Sequence, residues 1–201
     1  MVHAEASTFA EGLSKKEVYG QVLEQAKALF EGQRNWVTDV VELGLVSSYR
    51  KQSDMLTSLT LQASNLANTA SLLWHAFHSL PSPSNSVNWV GFYVLDPKAP
   101  QQLILGPFQG QVACQTIALG KGVCGTAAQS KRTQLVDNVD KFPGHIACDG
   151  ATKSEIVVPV VKDGETVAII DIDCAELNGF SVEDRVALEE LAELLAESCD
   201  F

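Results

Sequence analysis

The chain has no run of about 18 apolar residues, the length that a membrane-spanning helix needs, so it is not expected to cross a bilayer. Its start, "MVHAEASTFAEGLSKKE", lacks the apolar centre of a secretion signal and the Arg-rich character of a transit peptide. Positive charge is scarce: 14 Lys and Arg stand against 25 Asp and Glu, a formal net charge of −11. The densest basic cluster is Lys131-Arg132, too little to hold a phosphate backbone against that field, which argues against nucleic acid as a partner. A C-x2-C pair, the usual mark of a structural zinc site, is missing as well. The five cysteines are odd in number and follow no secretion signal, which argues against a structural disulfide framework. Residence in the cytoplasm, or in cytoplasm and nucleus, is the expectation.

What is present is one domain's worth of chain with alternating patterns. Ser14-Lys15-Lys16-Glu17 is a capping box, and Val18, Val22, Ala26, Leu29 and Phe30 follow it at helical spacing. A second helix is expected in "SNLANTASLLWHAFHSL", with Leu66, Ala70, Leu73, Trp74 and Phe77 on one stripe and Trp74 and Phe77 in the core; "PSPSN" ends it. Six strand-like segments come next: "VNWVGFYVL", "LILGPF", "VACQTIAL", "TQLVDNV", "EIVVPVV" and "TVAIIDIDC". The Asp-Gly of "KDGET" marks a hairpin between the last two. A final helix begins at Ser181, its stripe made by Ala187, Leu191, Leu194 and Ser198, its acids (Glu183, Asp184, Glu189, Glu190, Glu193, Glu197) read as a solvated face. The expectation is a single α+β domain over 1–201, with an antiparallel six-stranded sheet and helices mainly on one face. A tail over 1–13 precedes it, and 38–62, which has no sustained period, reads as an inserted loop.

Five thiols divide into two groups. Cys174 ends a strand and Cys199 lies near the C-terminus, where packing is the simplest role. Cys114, Cys124 and Cys148 each lie in a glycine-rich context read as loop, where the backbone can approach a small ligand closely. Zinc held by His145, Cys148, Cys114 and Cys124 is the weaker reading and a reactive thiol the stronger; His145 reads as loop packing. Asp171 and Asp173 alternate onto one face of their strand, and Glu155, on the preceding strand, can join them across the hairpin. Such a face is either a solvated strand end or a receptor for a cationic group, or a store for a proton to be donated. Trp89 and Tyr93, also on one face, are either core or the apolar wall of a pocket.

Taken together, "NWVGFY", "LGPFQGQVAC", "GKGVCGTA", "DNVDKFPGHIACD", "SEIVVPV" and "DIDC" resemble the free methionine-R-sulfoxide reductases, a family built on the GAF fold. The resemblance runs unbroken over about 88–198 and more loosely over 14–37 and 63–80, with 38–62 as the departure. Ordinary ligand-binding GAF domains lack the three-cysteine set. The resemblance implies Cys148 as the nucleophile on the sulfoxide sulfur, Cys114 as the resolving thiol in a Cys114–Cys148 disulfide, and Cys124 as an auxiliary thiol. It implies Trp89, Tyr93, Glu155, Asp171 and Asp173 around the substrate, with Glu155 and Asp173 near the sulfoxide oxygen. No bound cofactor or metal is implied; thioredoxin, kept reduced by NADPH through thioredoxin reductase, is the expected reductant. Homodimerisation is compatible with the family. A GAF module that binds a small ligand or senses redox state without turnover is the alternative.

Overall fold

The structure is a computed structural model that describes residues 9–10, 12–31, 64–146 and 150–201. The segment 38–62 and Cys148 lie outside these residues. Helix α1 spans Lys15–Phe30 and α2 Ser64–Ser79; strands β1 (Val87–Asp96), β2 (Ala99–Gly110) and β3 (Thr116–Ala118) follow. Helix α3 (Gly122–Ser130), β4 (Gln134–Val136), β5 (Ser154–Lys162), β6 (Glu165–Cys174) and α4 (Val182–Ser198) complete the order. The six strands lie in the order β3-β2-β1-β6-β5-β4, each antiparallel to its neighbours. Lys162 pairs with Glu165 at the expected Asp-Gly hairpin, where Asp163 and Gly164 both take positive φ.

One face of the sheet carries the main core. Val90, Phe92, Val94, Ile156, Val158, Ile170 and Ile172 project from it against α1, α2 and α4. The capping box at Ser14 and Glu17 closes as expected, with the Ser14 backbone N–H donating to the Glu17 carboxylate at 2.8 Å. Trp74 is half-buried rather than core: its ring lies over His78, centroids 4.3 Å apart, at the rim of the cluster that Leu73 and Phe77 enter fully. In α4 the buried stripe is Leu188, Leu191, Leu195 with Ala192 and Ala196, so Ala187 and Leu194 sit at its edge and not at its centre. Asp184 departs furthest from the solvated reading, being fully buried. It accepts hydrogen bonds from the Lys15 ammonium (2.6 Å), the Tyr19 hydroxyl (2.8 Å) and the Ser181 backbone N–H (2.7 Å), tying α4 to α1.

The opposite face is covered by α3, the β2–β3 connection and the short 3-10 turn Val139–Lys141, whose Val139 joins the same cluster. Helix α3 stands where the sequence was read as loop. Gly125 explains its closeness to the sheet edge: a Cβ there would collide with the Ala118 carbonyl and the Gly120 amide. Thr166, on β6, ties it down by donating to the Ala128 carbonyl at 2.8 Å. Of "VACQTIAL" only Thr116–Ala118 is strand, leaving 111–115 as a connection that crosses the end of the sheet. No described helix is long and apolar enough to cross a membrane.

Candidate active site

The α3-side face of the sheet is built in ranks by the strand register. Trp89 pairs with Asp173, and Asp173 with Glu155, so an indole and two carboxyls occupy one rank across β1, β6 and β5. In the next rank Gly91 pairs with Asp171, and Asp171 with Val157; Tyr93 follows opposite Ile169. Alternation thus delivers the expected acids and aromatics to one face. Gly91 contributes by having no side chain: a Cβ there would overlap the Trp89 ring and Phe108. The indole therefore lies along the strand, stacked between Phe108 (5.3 Å) and Tyr93 (5.9 Å).

Both aromatic polar tips hold the 111–115 connection. The Trp89 indole N–H donates to the Gln111 carbonyl at 3.1 Å, and the Tyr93 hydroxyl donates to the Cys114 carbonyl at 3.1 Å. Cys114 is half-buried and disulfide-bonded, whereas Cys124, Cys174 and Cys199 are thiols. Cys174 and Cys199 are fully buried packing residues, as read from the sequence.

Cys124 belongs to the first turn of α3 and is buried against the sheet. Its Sγ donates to Glu155 Oε1 at 3.5 Å. Glu155 and Asp171 are also buried, and Asp173 is partly exposed. A small cavity runs between them, lined on one side by Trp89, Tyr93 and Ala113 and on the other by Cys124 and the three acids. The expected site residues that lie among the described residues are thus gathered at one place.

Burial dominates the electrostatics. It pushes the Glu155 carboxyl well above its usual range, and the neighbouring Asp171 and Asp173 push it further the same way. Burial likewise raises Asp171, to about 6, against the partial opposition of hydrogen bonds from Cys124 and Glu155. The Cys124 thiol is raised well above its ordinary value by burial, then by Asp171 and Glu155. Tyr93 is raised by burial and by the same acids, so its hydroxyl is a permanent donor at neutral pH. The cluster thus stores protons, and Cys124 is not a ready thiolate in this environment. Cys124, Glu155 and Asp171 each offer a donor atom within 4.8 Å of the others, a spacing that could also hold a metal ion.

Two contributors went unread in the sequence, Phe108 and Gly91, which shape the aromatic stack, while His145, read as loop packing, brings its Nε2 to 3.9 Å from Glu155 Oε2. The alternation of β2 against β1 could have placed Phe108; nothing local in "PGHIAC" aims His145 at a strand 10 residues on.

Residues 63–198 match the GAF domain family model. Over 200 residues, 99% of this chain and 95% of the other, the sequence is 46% identical to the free methionine-R-sulfoxide reductase of Saccharomyces cerevisiae. The free methionine-R-sulfoxide reductase of Neisseria meningitidis, solved in complex with its substrate, superposes with a TM-score of 0.74 at 33% identity. That match covers 96% of this chain and 95% of that one. A further solved GAF domain matches with a TM-score of 0.83 at 44% identity over 100% of this chain and 98% of that one. With its three cysteines, paired strand acids and aromatic stack on this fold, the chain belongs to the free methionine-R-sulfoxide reductase family of GAF-domain proteins.

Proposed function

We propose a two-thiol route for the reaction of this chain, the reduction of free methionine-R-sulfoxide to methionine. The Cys148 thiolate attacks the sulfoxide sulfur, the oxygen passes to Cys148 as a sulfenic acid, and methionine leaves. Cys114 then attacks the sulfenic sulfur, water departs, and a Cys114–Cys148 disulfide forms. The two electrons gained by the substrate sulfur are those lost by the two thiols. Thioredoxin, kept reduced by NADPH through thioredoxin reductase, returns the disulfide to thiols.

The observation that carries this reading is Cys114, which is oxidised in a disulfide and held by Tyr93 beside a cavity in which burial pushes the Glu155 carboxyl well above its usual range. Cleaving the S–O bond requires a proton on the departing oxygen, and a carboxyl raised by burial is a donor matched to that need. Glu155 supplies it, with Asp173 beside it at the sulfoxide oxygen and Asp171 assisting, and the same acidic face receives the substrate ammonium. The Trp89 face packs the S-methyl group. Cys124, buried and protonated, serves as a reserve thiol.

The test is NADPH consumption with thioredoxin and thioredoxin reductase, with the R and S epimers of free methionine sulfoxide offered separately. Turnover confined to the R epimer is expected. Turnover with dithiothreitol but none with thioredoxin would sink the reductant assignment, and equal turnover of both epimers would sink the substrate fit.

A further inference from the structure

We propose that Cys124, Glu155 and Asp171 form a binding site for zinc, a second ligand of this pocket that shuts the enzyme down reversibly. The set differs from the one the sequence had brought to mind: it needs neither Cys114 nor Cys148, and it rests on side chains whose positions the sheet and α3 fix.

Donor geometry is the first support. With bond lengths of about 2.3 Å to sulfur and about 2.0 Å to oxygen, the edge of a zinc tetrahedron is roughly 3.5 Å. Cys124 Sγ and Glu155 Oε1 are 3.5 Å apart. All three donors lie within 4.8 Å of one another, so an adjustment of about 1 Å by Asp171 closes the two remaining edges. A fourth ligand is near, since His145 Nε2 lies 3.9 Å from the other Glu155 oxygen.

The second support is independent of clustering. Asp171 Oδ1 is buried with no hydrogen-bond partner, in a residue only 6% exposed that lines the same cavity as Cys124 and Glu155. A carboxylate oxygen in that position costs free energy until something fills it. The substrate occupies the pocket only during turnover; between turnovers a divalent cation can take its place.

Charge decides which cation. Fully ionised, the three groups carry three negative charges in a buried site, which is why they hold protons. A doubly charged ion releases those protons and leaves one net charge behind, the exchange by which metals bind thiols and carboxyls. A sulfur ligand and a small coordination number select zinc over calcium or magnesium, which demand more oxygens. The inhibitory consequence rests on the function proposed above, because zinc would remove the proton donor and the ammonium receptor together; the binding itself does not.

The experiment is isothermal titration of zinc into tag-free oxidised protein, in which the Cys114 disulfide removes that thiol from competition, repeated in buffers of different ionisation enthalpy. One zinc per chain with net proton release is expected, and affinity should fall at least tenfold in both Cys124→Ala and Asp171→Asn while Cys174→Ala binds as wild type. Cobalt in place of zinc should show a thiolate-to-metal charge-transfer band that Cys124→Ala lacks. Binding below one equivalent, or binding unchanged in both cavity variants, overturns the site. If zinc binds as described but leaves methionine-R-sulfoxide turnover intact, the site stands and the function assigned to the pocket fails.

Discussion

The Tyr93 hydroxyl donates a 3.1 Å hydrogen bond to the backbone carbonyl of Cys114, so a strand residue of the pocket wall also fixes the connection that carries the thiol proposed to resolve the sulfenic acid. Tyr93→Phe keeps the ring that stacks on Trp89 and removes only that bond. A neutral hydrogen bond is worth about 1 kcal/mol, or roughly fivefold in a rate that depends on it. Release of the first methionine should change by less than twofold, while closure of the sulfenic acid to the disulfide slows about fivefold. Rapid-quench trapping of the sulfenic acid with dimedone measures the second step. An unchanged closure rate would show that the bond does not position Cys114.

The two halves of the thiol route separate in single-turnover experiments. Cys148→Ser should release no methionine. Cys114→Ser should release one methionine per chain promptly and then slow at least tenfold with thioredoxin as reductant, because the Cys114–Cys148 disulfide cannot form and the reserve thiol Cys124 is buried. Mass spectrometry should find the sulfenic acid, or its dimedone adduct, on Cys148. Wild-type rates in Cys148→Ser would transfer the nucleophile's role to another thiol, and the buried Cys124 would be the next residue to test.

The sheet was readable because period-two alternation is a property of the residues themselves: Asp171 and Asp173, or Trp89 and Tyr93, cannot leave their common face without breaking the strand. Helix α3 was not, because Gly122 and Gly125 look like loop punctuation, and Gly125 is in fact required by the approach of the helix to the Ala118 carbonyl. Tertiary closeness, which local sequence does not encode, turned a helix breaker into a helix requirement. The α4 stripe slipped by one position for a related reason: Leu188, Leu191 and Leu195 follow a slightly different line from Ala187, Leu191 and Leu194, and only the partner surface chooses between them. Asp184 was counted among solvated acids because its partners, Lys15 and Tyr19, stand about 165 residues away in sequence. His145 was read as loop packing because nothing local joins it to Glu155 on the next strand.

Asp171 should make wild-type stability fall with rising pH in a way that Asp171→Asn does not share. Its carboxyl ionises at the ordinary value of 3.8 when unfolded and at about 6 when folded. Below about pH 4 both states hold the proton and the native contribution is fully present. Between about 4 and 6 the unfolded chain gives up its proton while the folded chain keeps it, so stability drops, on the order of 2–3 kcal/mol by the upper limit. Asp171→Asn should therefore be the more stable protein at pH 7.5 and nearly equal to wild type at pH 4, and it should lose substrate affinity. Urea midpoints at the two pH values, with KM alongside, measure both. A difference in midpoint that does not grow with pH would mean that Asp171 is not held protonated by the fold.

Asp184 should behave in the opposite sense, as a charge whose removal weakens the fold and spares the chemistry. Its two oxygens accept from Lys15, Tyr19 and Ser181, and its side chain is fully buried between α1 and α4, on the far side of the sheet from Glu155 and Cys124. Asp184→Ala strands the Tyr19 hydroxyl and the Lys15 ammonium and removes the capping-box partner of Ser181. Breaking one side of such a buried set costs about 3–5 kcal/mol. Asp184→Asn retains acceptance through its carbonyl oxygen and should cost less, since only the charge is lost. Changing Lys15 to Met in the Asp184→Ala background should recover part of the loss, because the orphaned ammonium disappears with it. Urea unfolding of the three variants gives the energies, and kcat for methionine-R-sulfoxide should stay within twofold of wild type wherever the protein is folded. A fall in kcat as large as that of a pocket variant would place Asp184 in the catalytic machinery, through a coupling across the sheet for which the packing gives no route.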